Sequence, residues 1–144
     1  MSMQHYILPE GSLSLPDEQV QDTSITMLRF PTRGTALTVS RAPLEAGEDG
    51  RVQFLQQLEK VRNTKKHFVI REQRDITIGV NNSVSGIEVL SQFSQGNITI
   101  SQYQFAGQCG DCMVIFCYSR TGAFTSKDNK HWRAVMDSFQ PANN

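Results

Sequence analysis

The sequence predicts an α+β domain, a mainly antiparallel sheet flanked by two helices. Three observations carry that expectation. Short segments with two-residue alternation recur along the chain. Two other segments carry apolar residues at helical spacing. Pro, Gly and Asn punctuate the gaps between them. With 144 residues there is enough chain for one core, and residues 1–144 read as a single domain.

SLSL at 12–15 is the first expected strand, closed by Pro16. DTSITMLRF at 22–30 is the second; Pro31 stops it and TRG turns the chain. ALTVSR at 36–41 is the third. In these last two strands Thr and Ser alternate with aliphatics, the pattern of a half-buried antiparallel sheet. APLEAGEDG at 42–50 is a loop. A helix follows over about 51–64, with Phe54, Leu58 and Val61 at i, i+4 and i+7 and with Val52 and Leu55 widening the stripe. HFVIREQRDITI at 67–78 returns to strand, GVNN turns, and VSGIEVLSQFS at 84–94 is the next strand. QGN reverses the chain into NITISQYQF at 97–105. CMVIFCYS at 112–119 is nearly continuous apolar, as expected of a central strand. Ser126 is the expected N-cap of a last helix ending near Phe139, with Trp132, Val135, Met136 and Phe139 on one stripe and Pro141 beyond the stop. The order is three strands, a helix, four strands, a helix. If both helices share one sheet face, the other face is free.

Composition excludes several functions. Apolar residues at 38% and charged residues at 19% fit a globular domain. Lys plus Arg and Asp plus Glu both number 14, so no basic field exists for nucleic acid or anionic lipid; the same balance favours self-association. No run reaches the roughly 18 apolar residues of a membrane span. MSMQHYILPEG lacks the basic and apolar regions of a signal peptide, so a cytoplasmic location is expected. Cys109, Cys112 and Cys117 form an odd, local set, better suited to reduced thiols than to a disulfide framework.

CGDC at 109–112 is the loudest chemical motif. A redox pair wants its first cysteine at a helix N-terminus, and a structural zinc wants four ligands. Here a strand follows, and no second C-x-x-C or H-x₃₋₅-H exists, so a hairpin tip with Gly-Asp is the expected reading. His5, His67 and His131 are scattered and read as surface or structural histidines. Asp128 and Asp137 read as helix decoration, and Trp132 as a core anchor. No P-loop, GxGxxG, HExxH or EF-hand is present. Nothing argues for catalysis or a cofactor.

What remains is faces. Ile25 and Met27 share one side of their strand; Leu37 and Val39 oppose Thr38 and Ser40. Ile98, Ile100, Gln102 and Gln104 share one side of NITISQYQF, two isoleucines followed by two amides. Gln57 lies at the edge of the first helix's apolar stripe. On the residues alone, each glutamine reads as solvated.

LPEGSLSLP, QDTSITMLRFP, LTVSR, a helix carrying QQLE, and RDITI together resemble the DcrB-related family, and more narrowly the Eag-type chaperones of bacterial type VI secretion. The resemblance is strongest at 7–41, 51–60 and 74–78. It implies a fold of the Mog1/PsbP type and a cytoplasmic, homodimeric adaptor that is not an enzyme. Such an adaptor binds the N-terminal transmembrane segments of a PAAR- or Rhs-type effector and helps load the effector on the secretion spike, without itself entering a membrane. In that family a concave sheet surface cradles the apolar helices, and two glutamines meet small-residue motifs on them. By local pattern these fall on Gln57 and Gln102, and the aliphatic pair of the second strand on Ile25 and Met27. The expected groove is therefore Ile25, Met27, Thr38, Gln57, Ile98, Ile100 and Gln102, although the third strand has Thr38 where an aliphatic is more typical, so that Thr38 and Val39 both remain open. The CGDC hairpin is no part of the family pattern. A second reading is a Mog1/PsbP-like module docking on a folded partner. A third is a thiol or metal protein built on CGDC.

Overall fold

The computed structural model describes residues 4–17, 19–20, 23–44 and 49–142. Eight strands and two α-helices are present among them. Strands β1 (Gln4–Leu8) and β2 (Gly11–Leu15) form a separate antiparallel hairpin. The remaining strands are β3 (Ile25–Phe30), β4 (Thr35–Pro43), β5 (Lys66–Ile78), β6 (Val84–Gln95), β7 (Ile98–Cys109) and β8 (Cys112–Thr121). They make one antiparallel sheet in the order β3-β4-β8-β7-β6-β5. Helix α1 (Gly50–Arg62) follows β4, and helix α2 (Ser126–Asp137) follows β8. The α+β expectation, an antiparallel sheet with two flanking helices, therefore describes the molecule.

Local chemistry sets the turns. Gly34, Gly96 and Gly110 all have positive φ at reversals, the conformation that glycine adopts without penalty. The CGDC segment is a two-residue hairpin: Cys109 pairs with Cys112, and the Cys112 thiol donates to the Cys109 carbonyl at 3.5 Å. Asp49 caps α1 by accepting from the Arg51 N–H. The cap of α2 is Thr125, one residue before the expected Ser126, and it forms a capping box with Asp128. Both hydroxyls suit the role; only Thr125 has an acidic partner three residues on.

Two cores lie on opposite sheet faces. On one, α2 lays Trp132 and Met136 on Leu37, Ile78, Val84, Phe105, Phe116 and Tyr118. Its aromatics stack closely, Tyr103 against Phe124 and Trp132 with centroids 4.9 and 5.4 Å away. Trp132 is a core anchor, as expected. Gly86 and Gly107 pair across β6 and β7 under the Phe105 ring, which occupies the space their missing side chains leave. On the other face, α1 sets Phe54 and Leu58 on Ile87, Val89, Ala106 and Met113. The helices thus do not share a face, and no face is wholly free. Apolar stripes say that each helix packs, not on which side. Val52 and Val61 were expected in the α1 stripe, but they are 47% and 40% exposed.

A buried carboxylate ties α2 to the sheet. Glu88 of β6 is 3% exposed. It accepts from the Trp132 indole N–H at 2.6 Å, from Arg133 at 2.6 Å and from Arg74 at 2.9 Å. Asp128, expected as decoration, is also buried, and it pairs with Arg120 at 2.8 Å and with the Thr125 N–H at 2.8 Å.

Candidate functional site

Strand register decides which side chains share the α1 face. Ile25 pairs with Ser40, Ser40 with Ile115, Ile115 with Ala106 and Ala106 with Ile87. The next parallel row is Met27, Thr38, Cys117, Gln104 and Val89. The third is Arg29, Ala36, Ser119, Gln102 and Ser91, and the fourth brings Thr121, Ile100 and Phe93 together. Paired residues in an antiparallel sheet point to the same side. Ile25, Met27, Thr38, Ile98, Ile100 and Gln102 therefore lie on one face, the face that α1 partly covers. Thr38 lines it; Val39 points to the α2 core.

Helix α1 leaves half of this face open. Its buried side chains reach strands β6 to β8, and near its C-terminal end Lys65 sits over the Phe93 ring at 4.9 Å. The open floor runs from β3 through β4 and β8 to β7. Three strand spacings of about 4.8 Å make it roughly 14 Å wide. Along β7, eight residues separate Ala106 from Ile98, roughly 26 Å at about 3.3 Å each. One α-helix, about 10–12 Å across, fits that width. A recess among Arg29, Ala36, Ile100, Ser119 and Thr121 lies at the Pro31–Gly34 end.

The wall of this floor is α1. Gln53 donates to the Pro43 carbonyl of β4 at 3.2 Å, so that side of the helix looks toward β4 and β8. Gln57 is one turn on, on the same side, and exposed. The helix is thus turned so that an amide, not its leucines, borders the open floor.

The floor is mixed in character. Ile25, Met27 and Ile98 are 67%, 56% and 50% exposed, a large apolar fraction for surface side chains. Between them lie small or polar residues: Ala36, Thr38, Ser40, Cys117, Ser119, Gln102 and Gln104, all half-buried. The expected site residues are not all neighbours. Ile25 and Ile98 lie at diagonal corners, roughly 30 Å apart on the strand spacings above. Gln104 and Cys117 were not expected in the site, yet their row crosses the middle of the floor. The alternation that singled out Gln102 pointed to Gln104 as well. Burial pushes the Cys117 thiol up to about 11, so it is a neutral, weakly polar floor atom. Ser91, wholly buried beside Gln102 in the register, has no hydrogen-bond partner for its hydroxyl.

Among the described residues no cluster of His, Cys, Asp and Glu is arranged to hold a metal. His131 is engaged with the Tyr118 hydroxyl at 2.8 Å, and His5 with Ser14 at 3.3 Å. Burial also raises the Cys109 thiol, with Cys112 beside it adding to the shift. No helix among the described residues is long and apolar enough to cross a membrane.

Comparison with known proteins fits this architecture. The chain is similar over its whole length to a crystal structure of a Pseudomonas aeruginosa protein of unknown function, PA94, with a TM-score of 0.77, 20% identity and full coverage of both chains. At that identity the likeness concerns the fold. Among curated proteins, none matches the chain. The DcrB family model matches residues 10–138, nearly the whole domain, and the chain belongs to the DcrB family.

Proposed function

We propose that this DcrB-family protein is a cytoplasmic, homodimeric chaperone that is not an enzyme. It shields the N-terminal transmembrane segments of a type VI secretion effector and assists loading of that effector on the spike. The observation that carries the reading is the open floor beside α1. It is one helix wide, it exposes Ile25, Met27 and Ile98, and it is bordered by the amides of Gln57 and Gln102. A transmembrane helix in water exposes about 20 mostly apolar residues, and burying that surface is worth roughly 25 cal/mol per Å². The small residues of the floor let a helix approach closely. Where Gly or Ala bares the helix backbone, a carboxamide reaches a carbonyl or a small hydroxyl. A bulky helix face instead leaves the amide unpaired, at a cost of about 1–3 kcal/mol.

Co-expression with an effector's N-terminal segment tests the reading. The segment is expected to stay soluble and bound, and binding is expected to weaken at least tenfold with Gln57→Ala plus Gln102→Ala. Equal binding by the double variant removes the amide role, and failure of every such segment to bind removes the chaperone role. The polar middle of the floor, Thr38, Ser40 and Ser119, favours one alternative: a module docking on a folded partner. That reading expects retention of a folded domain from which the apolar segments have been deleted.

A further inference from the structure

The two edges of the sheet are built differently. Strand β5 is guarded. It carries Lys66, Arg71, Glu72, Arg74 and Asp75, and its register with β6 shifts twice, between Lys66 and Val69 and between Ile70 and Glu72. Charges and bulges are the usual means of keeping an edge from pairing. Strand β3 has no bulge and little charge. Its six residues pair with β4 without a shift, and Arg29 is its only charge. Ile25, Met27 and Leu28 are 67%, 56% and 48% exposed, so apolar surface is bare on both faces of the strand. Among the described residues no strand pairs with its outer edge.

We propose that the outer edge of β3 pairs antiparallel with β3 of a second copy of this chain, about a two-fold axis through Met27. Such an axis, perpendicular to the sheet, keeps each face continuous and requires paired residues to share a face. Centring on Met27 meets that requirement: Met27 faces its own copy, Ile25 faces Arg29, and Thr26 faces Leu28. The two arginines are then kept apart at opposite ends of the ladder. The neighbouring allowed centre, Leu28, would draw Pro31 into the ladder, where it has no N–H to donate. A zero net charge leaves no long-range repulsion between copies. The product is a twelve-stranded sheet whose two open floors join at a methionine seam, making a surface roughly 34 Å wide. That is room for two helices side by side. The proposal rests on the homodimeric part of the function given above and is independent of the client.

Position-specific cross-linking tests it. In a protein with Cys109, Cys112 and Cys117 replaced by serine, Met27→Cys places two thiols directly opposite, at a Cα separation of about 4.5–5.5 Å that suits a disulfide. Oxidised glutathione, which takes up the two electrons and two protons, is expected to convert most of the protein to a covalent dimer. Val52→Cys, exposed on α1, is expected to give less than a tenth of that yield. Met27→Arg in the otherwise native chain is expected to raise the dimer dissociation constant at least tenfold by sedimentation equilibrium. A dimer that persists without Met27 cross-linking overturns this interface and leaves the homodimer standing. A protein that stays monomeric to high micromolar concentration overturns both. Cross-linking through Leu28→Cys in place of Met27→Cys overturns the register. Cross-linking of Met27→Cys to Ile7→Cys, with no Met27 pair, assigns the edge to the β1–β2 hairpin instead.

Discussion

Replacing Glu88 is the sharpest test of how this domain holds together. The carboxylate is 3% exposed and takes three donors, and Trp132, its indole partner, is 1% exposed. In Glu88→Ala the indole N–H loses its acceptor where water cannot replace it, costing about 1–3 kcal/mol. Arg133 and Arg74 have side chains 34% and 50% exposed, so they recover much of their hydration and add less. Together these losses set an expectation of about 2–4 kcal/mol. With a urea slope of about 2 kcal/mol per M, the unfolding midpoint falls by roughly 1–2 M. Glu88→Gln keeps a carbonyl for Trp132 but loses the charge and turns the oxygen facing Arg74 into an N–H donor, so about half the shift is expected. The chain's single tryptophan is itself the partner, so its fluorescence follows the transition directly. A midpoint shift below about 0.5 M in Glu88→Ala would refute the argument that this cluster secures α2.

Gly86→Ala is expected to destabilise by at least about 2 kcal/mol in the same assay, because the new methyl meets the Ala106 carbonyl and the Phe105 ring, backbone and core atoms that cannot move aside cheaply. Burial alone would raise the Asp128 carboxyl. The Thr125 N–H, the Arg120 guanidinium and the Thr125 side chain outweigh that and hold it below its ordinary value. Its contribution is therefore present above about pH 3.9 and lost as pH falls toward the depressed folded value, a loss that acid titration of Asp128→Asn is expected to lack. His131 is lowered by burial and then by Arg33, so stability is full above about pH 6.5 and falls as pH drops below it. Urea midpoints between pH 8 and pH 5 are expected to show that decline, and His131→Gln to flatten it. Cys117, with its thiol pushed up to about 11, is expected to react with iodoacetamide at pH 8 at least tenfold more slowly than free cysteine.

Much of this was legible from side-chain alternation. Parity placed Ile25, Met27, Ile98, Ile100 and Gln102 on single strand faces, and the antiparallel register then made those faces one. The helix periods located α1 and α2 within a few residues. Strand β1 was missed because HYIL is a short apolar run ending at Pro9, with too little alternation to separate strand from loop. Glu88 gave one local signal, a carboxylate inside VSGIEVL, but its partners lie 14 and 44 to 45 residues away and no spacing announces them. The APLEAGEDG loop expected at 42–50 has its middle, 45–48, outside the described residues, while Ala42 and Pro43 end β4 and Gly50 opens α1. Gln104 was passed over because the resemblance assigns it no contact, although the register sets it between Cys117 and Val89 on the same face as Gln102.

The position of β6 between the two helices has a dynamic consequence. Its two sides belong to two different cores, with Ile87 and Val89 under α1 and Val84 and Glu88 under α2. Strand β3, at the far edge, has only Phe30 tucked against α2, through its contact with His131 at 4.7 Å. Amide hydrogens should therefore exchange along a gradient, in β6 only when the whole domain unfolds and in β3 through local opening. The surface proposed to receive a partner lies on the half of the sheet expected to open first. Occupying it would slow exchange in β3 and β4 well before it changed the behaviour of β6, and the size of that local slowing would measure how much order the partner imposes.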